Sequence, residues 1–483
     1  MIYRAFACIL MCASLSAALA QSSAPLKPFL KEDAPVIVLN NVRLIDGTGG
    51  PARENMRVDI ERGKITNVQS AQLHNAFPPN AKVLDLSGRT ILPGLVGMHE
   101  HLFYTTPLDP EDGVAYFGEA PDSAPRLYLA AGVTTARTAG SVEPYTDLEL
   151  KRMIDAGQMP GPKLQITAPY LEGPGSFTPQ MHELKDAADA GRTVDYWAEE
   201  GATSYKAYMH ITPDELKAAV DHAHARGLKI TGHLCSIGFT EAAALGIDNL
   251  EHGLVVDTEF YSGKKPGTCP SSRAAEMEMA KSLDVESAPV QQMIQDLVAH
   301  HVAVTSTLAV FESFVPEHLP LAWELKQKPL MAPQTWTSVL EIRANLETRA
   351  AQSPWAVLLK KEMQFEHDFA KAGGLLMAGC DPTGFGGILA GFGDQRGLEL
   401  LVEAGFTPVE AIHIATENGA TWLGEDSAIG TIAVGKAADI VVVNGNPAEK
   451  ISDIENVETV FKDGVGYDPA KLKESVQGLA GIR

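Results

Sequence analysis

The sequence predicts an α/β protein: a (β/α)8 TIM barrel with a small β-sandwich domain formed from both chain ends. Three observations carry this expectation. Eight short apolar β runs follow one another from Thr90 onward, with helical segments between them. β patterning without an amphipathic helix occupies Pro35 to Leu86, and it returns after Leu423. The length, 483 residues, exceeds one ordinary core yet suits a large barrel with insertions. Apolar residues at 45% and charged residues at 21% exclude wholesale disorder.

In chain order, residues 1–20 read as a signal peptide, 21–89 and 424–483 as the two parts of the sandwich, and 90–423 as the barrel. The opening MIYRAFACILMCASLSAALA has one cation, Arg4, before an apolar run, and Ala18-Leu19-Ala20 ahead of a cleavage point. That run is shorter than the roughly 20 residues of a membrane-spanning helix. A periplasmic or secreted protein with no membrane attachment after cleavage is therefore expected. Cys8 and Cys12 leave with the signal. Of the remaining three, Cys235 and Cys380 lie in apolar, strand-like segments and read as small buried hydrophobes. Cys269, in a polar stretch, reads as an exposed thiol. Three thiols cannot build a disulfide framework, so stability must come from the core.

The eight β runs are TILPGLVGMHEH, GVTTARTAG, KLQITAPYL, ATSYKAYMH, LKITGHLC, IDNLEHGL, VAVTSTLAV and LLMAGCDPTG. Between the fourth and fifth, TPDELKAAVDHAHARG is a helix that Thr212 can N-cap and Gly227 can end. The stretch from Gly253 to Ala303 is an insertion after the sixth strand, expected to shape the substrate pocket or an oligomer contact. Gly384 to Gly393 lacks the G-K-[ST] of a phosphate loop and reads as a mobile pocket loop. The net charge of −22 repels phosphate backbones and excludes general nucleic-acid binding.

The chemistry falls at strand ends. His99 and His101 close the first strand, where residues two apart point the same way and Glu100 points to the other face. By itself an H-x-H is weak. The chain holds a second, His222-Ala223-His224, in a helical stretch where such residues diverge, and it receives no role. Lys206 lies mid-strand in SYKAYM, where a buried cation without a partner is costly and tends to neutralise. His233 ends the fifth strand, His252 the sixth and Asp381 the eighth. Six metal-capable groups thus share the C-terminal ends of the strands, the face on which barrels place catalytic groups.

These segments, with LPGLVGMHEH at the start and GTIAVGKAADIVVV at the close, resemble the amidohydrolase superfamily over nearly all of the mature chain. Within it the sequence is similar to the binuclear group with a carboxylated lysine. SYKAYM resembles the lysine strand of dihydropyrimidinase-like enzymes, whereas TGHLC with NLEHG resembles prolidase-like peptidases, so both subgroups stay open. The resemblance implies two divalent metal ions, Zn²⁺ by preference. It implies His99, His101 and Asp381 on the first, His233 and His252 on the second, and Lys206, carboxylated by CO₂, between them. It further implies a metal-bridging hydroxide that attacks a carbonyl, with Asp381 as the catalytic proton acceptor and donor. For substrate contacts, Tyr208 and His210 continue the face of Lys206, while Tyr104 and Tyr170 follow strands one and three.

The function expected is that of an exported metal-dependent amidohydrolase cleaving an amide C–N bond in a small peptide or N-acyl amino acid. The alternatives are a hydrolase that opens a cyclic amide or lactone, a mononuclear deaminase or imidazolonepropionase-like enzyme, and a non-catalytic metal-binding relative. The lysine disfavours the mononuclear enzymes, and the complete ligand set disfavours the non-catalytic relative. The partners expected are a small-molecule amide substrate and a second copy of the chain in a homo-oligomer.

Overall fold

Short apolar runs between turns become strands, and eight of them are parallel and follow in chain order. They are β1 (Leu95–Glu100), β2 (Val133–Thr138), β3 (Lys163–Gln165), β4 (Ser204–Ala207), β5 (Lys229–Gly232), β6 (Asn249–Glu251), β7 (Ala303–Ser306) and β8 (Leu376–Ala378). This computed structural model describes residues 23–105, 115–316, 321–383 and 387–482. The expected signal peptide and residues 384–386 of the expected pocket loop lie outside them.

Strands β1 to β3 form one parallel ladder and β4 to β8 another. Isolated parallel bridges, Thr167 to Ser204 and Leu171 to Ala207, join the continuation of β3 to β4. At the other edge the amide of Asp381, just beyond β8, donates to the carbonyl of His99 in β1 at 3.0 Å. Among the described residues, hydrogen bonding thus gives two ladders with bridges rather than one continuous ladder. Helices alternate with the strands as expected. The one after β4 spans Pro213–Ala225 and starts with a capping box, in which Thr212 and Glu215 satisfy each other's backbone amides.

The two chain ends meet in one nine-stranded sheet. Strand Ile440–Asn444 pairs antiparallel with Arg89–Pro93 on one side and with Val457–Lys462 on the other. Alternation along it separates two cores: Ile440 and Val442 pack with Ile37, Val58 and Phe461, whereas Val441 and Val443 pack into the α/β core. The segment TILPGLVGMHEH, expected as one strand, is two. Residues Arg89–Pro93 belong to the terminal sheet, and β1 begins after Gly94. The Gly94 amide donates to Asp439 and the next amide to Gly132, which hands the chain from one sheet to the other.

The insertion after β6 holds helices Ser272–Ser282 and Ala288–Ala299. Cys269, expected as an exposed thiol, is instead bonded to Cys235 in a disulfide with a Cα–Cα distance of 4.9 Å. Cys380 is free and buried, as its apolar context implied. No described helix is long and apolar enough to cross a membrane.

A Cβ on Gly94 would lie 2.0 Å from the Thr134 hydroxyl and 2.5 Å from its methyl. Gly94→Ala must therefore push β2 away and is expected to lower unfolding free energy by about 1–3 kcal/mol, read by denaturant titration.

Candidate metal centre

The C-terminal ends of β1, β4, β5, β6 and β8 converge on one cavity of about 190 Å³. His99, His101, Lys206, His233, His252 and Asp381 all line it. The alternation of β1 does what the sequence implied. His99 and His101 face the cavity with ring centroids 5.3 Å apart, while Glu100 turns outward and accepts from Cys380 Sγ at 3.0 Å. Single nitrogen or oxygen atoms of His99, His252 and Asp381 all lie within 4.8 Å of one another. Asp381 Oδ1 is 3.2 Å from His101 Nε2 and 3.8 Å from His99 Nε2. The His252 ring stands 4.5 Å from both His99 and His233.

Backbone geometry marks the same place. His252 and Asp381 have φ of 71° and 51°, a left-handed conformation that costs a non-glycine residue roughly 1–3 kcal/mol and clusters at functional sites. β8 also approaches β1 closely: a Cβ on Gly379 would meet the His99 nitrogen at 2.3 Å. Only glycine lets Asp381 arrive beside the histidines.

Glu251, missed in the sequence, organises the floor of the cavity. It is fully buried, and its Oε2 sits 2.7 Å from His99 Nδ1. Its Oε1 accepts from Arg137 at 2.7 Å, from Thr231 at 2.5 Å and from Asn249 at 3.2 Å, with Lys206 Nζ 3.9 Å away. Thr307 likewise partners His252 Nδ1 at 2.8 Å. A carboxylate or hydroxyl behind a histidine fixes its tautomer and aims the other nitrogen, as in metal sites. The only sequence signal for Glu251 is its place beside His252, at the end of β6.

The electrostatics favour unprotonated ligands. Burial, and then the neighbouring Lys206, lowers His99 to about 4 and His233 to about 3. Burial, then His233 and His99, holds His252 well below its usual value. Burial would raise Asp381, but His99 and His101 outweigh it and keep it a carboxylate. Burial brings Lys206 down to about 8, against the opposing pull of Glu251. His101 Nδ1 and Asp381 Oδ1 are buried without a hydrogen-bond partner. Neutral imidazoles, a carboxylate and orphaned buried donor atoms fit divalent metal ions.

Among the expected substrate residues, Tyr208 and Tyr170 line the cavity, with ring centroids 4.8 Å apart. Tyr104 does not: it is buried in the core and donates to the Ile388 carbonyl. His210 lies off the wall, because Glu172 holds its backbone amide at 2.7 Å and its ring at 3.4 Å. The insertion from Gly253 to Ala303 contributes no wall residue among those described. The remaining walls come from Phe117, Phe177, Val310, Phe311, Phe314 and Thr383.

The model of the amidohydrolase family matches residues 90–305 and 367–466, which carry every strand end just described. The chain belongs to the amidohydrolase family. It is accordingly a hydrolase acting on carbon–nitrogen bonds, of a family that binds divalent metals. Its fold is similar to a crystal structure of a Xaa-Pro dipeptidase with bound methionine, at TM-score 0.65 and 19% identity over 90% of this chain and 100% of that one. It is similar to molinate hydrolase, at TM-score 0.65 and 18% identity over 94% and 99% of the two chains. Ochratoxinase from A. niger matches at TM-score 0.63 and 17% identity over 90% and 96%. A comparison with curated protein sequences finds no match.

Two outcomes follow for this amidohydrolase. Glu251→Gln leaves the buried Arg137 charge without its counter-ion, so stability should fall by about 3–5 kcal/mol in denaturant titration. Metal affinity should weaken about 10- to 100-fold in the same protein. The second concerns pH. Protons compete with metal for the imidazoles, and because His99 and His233 are lowered to about 4 and about 3, this competition starts well below the ordinary 6.5. Metal content after stepped dialysis should hold from pH 7 to about 5 and drop toward about 4.

Proposed function

We propose that this protein is an exported binuclear metallohydrolase that cleaves the amide C–N bond of a small peptide or N-acyl amino acid. The observation that carries the reading is the convergence of four histidines, one aspartate and a fully buried lysine on one small cavity. Lys206 is 1% exposed and lowered to about 8, so a larger share of its amine is neutral, and able to take up CO₂, than in an ordinary lysine. As a carbamate it would offer two oxygens to two cations, with His99, His101 and Asp381 on one and His233 and His252 on the other. The strand order supports closure of the two ladders into a (β/α)8 barrel, with the terminal sheet as a separate small domain. The Cys235–Cys269 disulfide and the signal-like first 20 residues support a periplasmic or secreted location.

When bound, divalent metals of this kind polarise a carbonyl and acidify water. The chain supplies the rest. Asp381, kept as a carboxylate, takes a proton from the attacking water and returns it to the leaving nitrogen. Tyr208 stays protonated because burial, and then the Asp381 charge, raises its phenol. Its hydroxyl has no hydrogen-bond partner among the described residues and is free to donate to the developing oxyanion. Phe117, Phe177, Phe311 and Phe314 keep bulk water from the cavity and set an apolar group of the substrate against its walls. The solved relatives described as a dipeptidase and as ochratoxinase are consistent with this class of substrate.

The test is elemental analysis together with a hydrolysis screen of dipeptides, N-acyl amino acids and lactams. Two metals per chain and turnover of an acyclic amide are expected. Lys206→Ala should lose bound metal and reduce turnover at least about 100-fold. Full metal content and rate in that variant would remove the carbamate, and no amide turnover by the wild type would remove the function.

A further inference from the structure

His233 differs from His99 and His252 in what holds it. Among the described residues, no hydrogen bond reaches its ring, whose aromatic neighbours are the Tyr208 ring at 5.1 Å and the His252 ring at 4.5 Å. Its aim therefore depends on the backbone that carries it. That backbone is fastened on two sides. Toward β4, the His233 amide donates to Ala207 at 3.1 Å, the Ser236 amide to Met209 at 2.8 Å, and the Ser236 hydroxyl to Ile211 at 2.5 Å.

Toward the insertion, the fastening is covalent. Cys235, two residues beyond His233, is bonded to Cys269 across 34 residues. The Cys235 carbonyl also accepts from the Thr258 hydroxyl at 2.6 Å and from Lys264 Nζ. The same ammonium donates to the Ser236 and Thr268 carbonyls at 2.8 Å each, so it gathers both sides of the disulfide around one cation. The insertion supplies no wall of the cavity, yet its tightest attachment to the α/β core is at the end of β5.

We propose that the Cys235–Cys269 disulfide and Lys264 are positioning residues for His233, fixing the turn after β5 so that its imidazole holds the second metal. The inference rests on the reading of His233 as a ligand. It assigns a task to an insertion that lines no wall of the cavity: it braces one half of the metal centre. A supporting group behind a ligand is ordinarily a hydrogen bond; for His233 the support is a cross-link two residues along the chain.

The experiment titrates Zn²⁺ into the metal-free mature protein against a competing fluorescent chelator. It compares wild type, the double variant Cys235→Ala/Cys269→Ala, and Lys264→Met, which keeps the disulfide. Thermal unfolding of each is followed separately. The double variant should bind one of the two Zn²⁺ about 10- to 100-fold more weakly and the other as wild type does. Lys264→Met should weaken the same ion by a smaller factor, and Co²⁺ in that position should show an altered visible absorption band. A lower melting temperature with both affinities intact would overturn the inference, since it describes a merely structural cross-link. If the double variant fails to fold, Lys264→Met decides, and unchanged affinities there overturn the proposal. A wild-type protein that binds fewer than two Zn²⁺ brings down the ligand reading itself.

Discussion

The carboxylate of Glu251 is the group on which the site depends. It carries a charge at a fully buried place, 2.7 Å from Arg137 and 2.7 Å from His99. Burial alone would neutralise it, but Arg137, then Lys206 and His99, pull it well below the usual carboxylate range. One anion thus joins four strands: Arg137 from β2, Thr231 from β5, Asn249 from its own β6, and His99 from β1. Arg137 is fully buried as well and lies over the Trp422 ring, so the guanidinium is as dependent on the carboxylate as the reverse. Ligand geometry and core integrity are therefore the same problem here.

Around that anion, simple periodicity does most of the placing. Alternation along β1 sends His99 and His101 inward and Glu100 outward, and alternation along β6 sets Asn249 and Glu251 on one face, where their side chains meet. The loops beyond the strands then add what regular structure cannot. Left-handed backbone at His252 and Asp381 turns each side chain toward the cavity, and the segments around Phe117, Phe177 and Phe311 roof it with aromatic rings. Scaffold and specificity are divided between strands and loops, as in barrel enzymes.

Much of this was legible in the chain. Eight apolar runs in order give eight parallel strands, and five of those runs carry the six cavity-lining ligand candidates. What stayed hidden has a common cause, namely contact between segments distant in sequence. Nothing around Cys269 announces Cys235, since the pairing depends on how a 34-residue excursion returns. Tyr104 and His210 follow strands as substrate residues should, but an Ile388 carbonyl and the Glu172 carboxylate claim them. Glu251 looks in sequence like any polar residue beside a histidine, and Arg137, 114 positions away, makes it the centre.

The nine-stranded sheet has a further consequence, for the order of folding. Its central pairing joins Arg89–Pro93 to Ile440–Asn444, so an early segment waits for one made about 350 residues later. Until the late strand arrives, the strand that leads into β1 keeps one edge unpaired. Such long-range closure is slow, and an open edge invites association with other chains. The last stretch of polypeptide acts as a latch: the metal centre is drawn in the middle of the chain, but it is secured from the end.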